Sequence, residues 1–283
     1  PYLQNISAAA SSAVQQELSR LSSLAATVCD KQDGANSTDS ANFHLNYATI
    51  SGGLTIADYA TSMETTFGIE VTSYGWAKPP LCAGGGTCSG NSNPWGRYPI
   101  QVATIGSGLY GYVTVAGDYS GYIGDNPNTT AVETEALASC MVLNDDYSLF
   151  IEGAQAALDA TTGHEFVHAI QFGYGDPDIE EDDVWYESSA AYMEDEAFDN
   201  SNSNYLYLWP VVSNSLGEWP NDDEPYGISQ YSNFLFFRHV AEQNGGTNLA
   251  GGGEDVMQHF LENVAAGQEQ LTAYNNALLL EGT

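Results

Sequence analysis

The sequence predicts an α+β fold, with an N-terminal lobe on a twisted, mostly five-stranded sheet plus helices and a C-terminal lobe that is mainly helical. Three observations carry this expectation. Between Phe43 and Phe150, apolar residues recur with period two in short runs broken by Gly, Asn and Pro. Beyond Leu158 they recur at three and four instead. At 283 residues the chain can bury one large core or two smaller lobes. The pattern shifts divide it into a helix and linker over 1–41, an α+β lobe over 42–175 and a helical lobe over 176–283.

Each element has its own signal. Leu18, Leu21, Leu24 and Val28 mark a helix over 5–28, and the polar stretch 30–41 reads as a linker. Phe43, Leu45 and Tyr47 alternate with polar neighbours, giving a first strand over 43–49 with His44 on its opposite face, where no role is assigned. A helix over 54–67 and a second strand over 69–76 follow. Past Pro79-Pro80 and the loop 82–88, strands are expected over 98–105 and 109–118, separated by Gly-Ser-Gly. The fifth strand, 140–150, is the last before the next helix and is therefore the candidate edge onto which an extended chain could add. That helix runs from about Leu158 to Phe172 and ends at Gly173 and Gly175. An Asp at 182 or 183 caps the next one, 184–198, and three more are expected over 229–246, 254–267 and 270–282.

Composition narrows the function classes. There are 37 acidic residues against 5 basic ones, a net charge of −32. Phosphate binding needs clustered Lys and Arg, so nucleic acid and anionic membrane surfaces are excluded as partners. No run of eighteen apolar residues exists, so no membrane insertion is expected. With 43 % hydrophobic residues and 18 tyrosines, the chain is not a disordered acidic tail. A folded chain this acidic repels itself, and salt or calcium screens the repulsion. A halophilic protein whose stability rises with ionic strength is the expectation, against a plain secreted protein of low isoelectric point.

Cys29, Cys82, Cys88 and Cys140 form no CxxC pair, and an even count suits two disulfides in an exported protein. The favoured pairing is Cys82–Cys88 with Cys29–Cys140; four free thiols is the alternative. The chain opens at Pro1 without a basic, apolar leader, so an export signal is expected to have been removed or to be absent from this chain.

The chemistry concentrates between Thr161 and Asp195. His164, Glu165 and His168 form His-Glu-x-x-His, and Glu187 follows after eighteen further residues. Helical residues four apart share a face, so both imidazoles can reach one point, as the first two ligands of a tetrahedral zinc ion must. Two imidazoles and a carboxylate leave one position open, which marks a catalytic rather than a structural site. Zinc brings the pKa of bound water down towards ~7, and Glu165 is placed to take its proton. The plainer alternative is a surface helix with two unrelated histidines. The acidic loop 176–183 offers carboxylates for a structural calcium ion, against an ordinary solvated loop.

The spacing HExxH-x18-E, with Trp185-x-Glu187 followed by Tyr192-x-Glu194, resembles the gluzincin metallopeptidases in the branch that contains the zinc aminopeptidases. The wider segments WYESSAAYMEDEAFDN and PYGISQYSNFLFFRHV look closer to secreted bacterial and archaeal metalloproteases, and the resemblance covers about 155–245. It implies a zincin-like fold with zinc between two lobes, held by His164, His168 and Glu187. It further implies that Glu194 orients a zinc-bound histidine, and that a Tyr or His of the downstream lobe donates to the oxyanion. Tyr226 and Tyr231 are the candidates for that donor. Two departures matter: Ser188-Ser189 stand where the aminopeptidases usually have Gly, and their GxMEN motif is missing upstream of His164. An endopeptidase acting on extended polypeptide is therefore expected, with an aminopeptidase or a non-catalytic surface or binding module as alternatives.

Overall fold

Five strands form one mixed sheet in the order β1-β2-β3-β7-β4, with the His-Glu-x-x-His helix packed across it. The computed structural model describes residues 36–81, 96–106, 108–115, 122–175, 179–208, 231–245 and 252–280. The helix expected over 5–28, the loop 82–88, Cys29 and Tyr226 lie outside the described residues, and with them both disulfide pairings. Cys140 is buried on β7.

The strands are β1 (Asn36–Asp39), β2 (Phe43–Tyr47), β3 (Tyr98–Ala103), β4 (Gly111–Val115), β5 (Tyr122–Gly124), β6 (Ala136–Leu137) and β7 (Ser139–Asn144). β2, β3 and β7 run parallel, with Leu45 opposite Ile100 and Ile100 opposite Met141. β1 and β4 close the two sides antiparallel, and β5 with β6 makes a separate small ribbon. The described α-helices are α1 (Ile56–Phe67), α2 (Ala154–Phe172), α3 (Ile179–Ala197), α4 (Phe234–Gln243), α5 (Asp255–Ala265) and α6 (Gln270–Leu280). None is long and apolar enough to cross a membrane.

Four expectations change. First, 69–76 is not a strand. Ile69 and Val71 alternate as a strand would, but the backbone stays helical beyond α1 in a π-turn over Gly68–Ser73, with the Tyr74 N–H reaching the Ile69 carbonyl at 2.9 Å. The wider turn carries Glu70 into the interior. Second, part of the presumed linker is β1, which pairs with β2 (Thr38 opposite Leu45) although NSTD has no apolar alternation. β2 is thereby an inner strand, and His44 is buried with its Nδ1 2.6 Å from Asp39 Oδ1. Third, the strand before the helix is not an edge. All six residues of β7 are buried between β3 and β4, as its continuous apolar run from Cys140 to Leu143 requires of a strand covered on both faces. The edge is β4, which among the described residues pairs with β7 alone. Fourth, helices start early: α2 at Ala154, after Gly153 in a left-handed φ of 92°, and α3 at Ile179, inside the presumed acidic loop.

α2 is buried on nearly every side, so its residues show little one-sided apolar patterning. Its Phe166 meets Phe43 at 5.6 Å and Tyr98 at 6.1 Å, both edge-on, fixing the helix over the sheet. Such ring pairs contribute about 0.5–1.5 kcal/mol beyond their buried area. α1 clamps it as well, Ser62 Oγ standing 2.6 Å from Thr162 Oγ1 and donating to Asp159 Oδ1 at 2.7 Å. α3 packs along α2, and Gly163 permits the approach: a Cβ there would stand 3.4 Å from both Ala197 Cβ and the Met193 carbonyl oxygen. The start of α3 is anchored by Trp185, stacked on Phe260 of α5 at 5.3 Å and near Tyr274 of α6 at 5.2 Å. That anchor sets where Glu187, half a turn on and half-buried, meets α2.

Candidate metal centre

α2 supplies two imidazoles one turn apart, and α3 brings a carboxylate to the same point. His164 Nε2 and His168 Nε2 stand 3.0 Å apart, and Glu187 Oε2 lies 3.1 Å from the first and 3.4 Å from the second. This trio is the one group of metal-capable side chains among the described residues. Ligand atoms held tetrahedrally at zinc–nitrogen and zinc–oxygen distances stand about 3.3 Å apart. The observed triangle has that size.

The far side of each ring is engaged as well. Glu194, buried two turns beyond Glu187, accepts from His164 Nδ1 at 2.9 Å. The same Glu194 oxygen accepts from the Tyr207 hydroxyl at 3.3 Å. Tyr207 stacks on Tyr231 with ring centroids 4.9 Å apart, and the Tyr231 ring is 5.5 Å from that of His164. His168 Nδ1 faces Gln171 Oε1 at 2.7 Å. Each imidazole therefore meets an oxygen on its outer nitrogen and turns its inner nitrogen toward Glu187.

Electrostatics follow from this crowding of carboxylates in a buried site. Burial disfavours a charge on His164, but hydrogen bonds to Glu187 and Glu194 and their charges outweigh it and hold its pKa well above the usual imidazole value. His168 is raised in the same way, burial being overcome by the charge of Glu187. For Glu187, burial is overcome by both histidines, and its pKa falls far below the usual carboxylate range. The trio thus favours a positive charge at its centre, which a proton or a cation can supply.

Glu165 lies beside the trio, buried at 7 % exposure, and burial pushes its carboxyl up. It is adjacent to the edge strand, because a Cβ on Gly111 would stand 3.2 Å from Glu165 Cγ. On another side, Glu70 of the π-turn is fully buried with neither carboxyl oxygen hydrogen-bonded. Burial raises its pKa well above the ordinary value, against a lowering influence of His164.

Of the residues expected at the site, His164, Glu165, His168, Glu187, Glu194 and Tyr231 come together; Tyr226 is outside the described residues. For the calcium expectation, the backbone of 179–183 is helical rather than a loop, and the carboxylates of 176–183 lie outside the described side chains. Gln171, Tyr207 and Glu70 were not anticipated. Gln171 follows His168 by three residues, a helical neighbour spacing that flags it in retrospect. Tyr207 and Glu70 carry no such local signal. No protein-family model, no curated protein and no solved structure matches the chain.

Proposed function

We propose that this protein is a secreted zinc-dependent endopeptidase of the gluzincin kind, with a zincin-like fold and its metal centre at the seam between the sheet-bearing and helical parts. One observation carries the reading. Three lone-pair-bearing atoms, two imidazole nitrogens and one carboxylate oxygen, face one another at 3.0–3.4 Å while both outer imidazole nitrogens are already engaged. Facing acceptors repel unless something positive lies between them, and this donor set with this spacing suits a divalent zinc ion. His164, His168 and Glu187 would hold it.

Bound there, zinc supplies a Lewis acid that makes a water molecule nucleophilic near neutral pH. The chain's own residues do the rest. Glu165 takes the proton of the attacking water and delivers it to the departing amine, a role its buried position next to His164 on the same helix favours. Tyr231, whose ring lies 5.5 Å from that of His164, would be the donor to the oxyanion. The substrate is an extended polypeptide whose main chain runs along β4, bringing its scissile bond past Gly111 to Glu165.

The test joins metal content to activity. Elemental analysis of the purified protein should find one zinc per chain, and an unstructured protein or a doubly blocked peptide should be cut internally until a chelator is added. Glu165→Gln should keep the zinc and lose the cleavage. A protein purified without zinc that gains no activity on zinc addition, or a Glu165→Gln variant that cleaves as well as the wild type, removes this reading.

A further inference from the structure

We propose that Gln171 is the positioning residue of His168, and that its side chain, locked to α3, assembles the ligand triangle before any metal arrives. The inference rests on the zinc centre proposed above and concerns how this chain builds it. Gln171 is 3 % exposed and makes three contacts with fixed direction. Its Nε2 donates to the Tyr186 carbonyl at 3.2 Å and to Ser189 Oγ at 3.1 Å. Ser189 Oγ in turn donates to the same Tyr186 carbonyl at 3.0 Å. Its Oε1 faces His168 Nδ1 at 2.7 Å.

The direction of every bond follows from the backbone. A carbonyl only accepts, so the Gln171 group facing Tyr186 is the amide nitrogen. The amide oxygen is then the atom against His168, and it too only accepts. His168 Nδ1 must therefore carry a hydrogen, so in the neutral ring, the form that binds a metal, the lone pair sits on Nε2, turned into the triangle. The tautomer of His168 is set from α3, the helix that also carries Glu187. One amide side chain thus ties the second imidazole ligand to the element bearing the third ligand. Ser188-Ser189, standing in place of the glycine usual in the aminopeptidases, gains a physical role here: the Ser189 hydroxyl is half of the anchor that holds Gln171.

The two imidazoles are backed differently. His164 leans on a carboxylate, Glu194, and His168 on a neutral amide. The neutral amide adds no further negative charge to a site that already holds Glu165, Glu187 and Glu194. Such outer partners typically set metal affinity by 10–100-fold. Gln171 also lines a small apolar cavity with Trp76, Val167 and Trp185, so a packing role is the competing explanation.

Chelator competition against zinc, together with the visible spectrum of the cobalt-substituted protein, separates the two. Gln171→Met keeps the volume and loses both ends of the clasp; about a 10–100-fold loss of zinc affinity is expected, with a changed cobalt spectrum and an unchanged far-ultraviolet circular dichroism. Gln171→Glu still presents an oxygen to Nδ1–H but loses the donor to Tyr186 and Ser189, so it should recover only part of the affinity. Ser189→Ala should fall between wild type and Gln171→Met. Wild-type zinc affinity in Gln171→Met, or equal losses in the Met and Glu variants, overturns the proposal while leaving the zinc centre standing. A wild-type protein that binds neither zinc nor cobalt removes the centre and this role together.

Discussion

Gly111 is pressed against Glu165. A Cβ at position 111 would stand 3.2 Å from Glu165 Cγ, 2.8 Å from Thr161 Cγ2 and 3.0 Å from the Val142 carbonyl oxygen. The edge strand and the helix bearing the proposed base are therefore in contact at a point where no side chain fits. Gly111→Ala should overpack this contact, costing about 1–3 kcal/mol and displacing either β4 or Glu165. A lower melting temperature with reduced peptide cleavage at unchanged zinc content is the expected result. Wild-type melting and cleavage would show that strand and base are not coupled.

The stack of Tyr207 on Tyr231 separates two effects that one tyrosine would confound. Tyr231→Phe should lower kcat by about 10²–10³-fold with KM little changed, as loss of an oxyanion donor does. Tyr207→Phe keeps the stack and loses the hydroxyl on Glu194, so zinc affinity should fall by about 10-fold while kcat on the loaded protein persists. Tyr207→Leu loses both contacts and should approach the Tyr231→Phe level of kcat. Steady-state kinetics with chelator competition read all three, and an active Tyr231→Phe variant would move the donor elsewhere.

Glu196 gives the fold a pH dependence of known sign. Burial, with Glu254 beside it, pushes its pKa from an ordinary 4.5 up to about 8, against the opposing charge of Arg238. Between those values the unfolded chain has released the proton and the native chain keeps it, so stability falls as pH rises through this window and levels off above it. Glu196→Gln removes the titration. Its melting temperature relative to wild type should therefore climb from pH 4.5 to pH 8; a constant difference across that range contradicts the assignment.

Salt should stabilise the protein. With a net charge of −32 the folded chain repels itself, and the screening length falls from about 10 Å at 0.1 M salt to about 3 Å at 1 M. Melting temperatures measured over that range should rise steadily. A flat response would contradict this self-repulsion, since 5 basic residues cannot neutralise 37 acidic ones.

The meeting of His164, His168 and Glu187 was legible in the chain because helix geometry alone aligns His164 with His168, and a paired second helix is the simplest way to return Glu187 to them. Glu194 was legible only through the resemblance, which places a second glutamate seven residues after Glu187. Gln171 was not, since its role depends on the Tyr186 carbonyl and the Ser189 hydroxyl of another helix. Strand order failed for a different reason: β4 precedes β7 in the chain but takes the outer place, and no local pattern records which neighbour a strand will choose. The π-turn was hidden by two apolar residues, Ile69 and Val71, whose spacing imitates a strand. β1 is polar and exposed, and only its pairing with β2 makes it a strand.

The inward-facing atoms and their outer hydrogen-bond partners all belong to one run of sequence, His164 to Glu194, whereas the sheet joins distant segments, Phe43 to Tyr98 and Ile100 to Met141. Neighbouring segments meet sooner than remote ones during folding, because less chain entropy is lost in closing them. The helix pair can thus form ahead of the sheet, and an ion held there would be captured by a chain whose strands are still unpaired. Loading would then precede the slow pairing of the parallel strands.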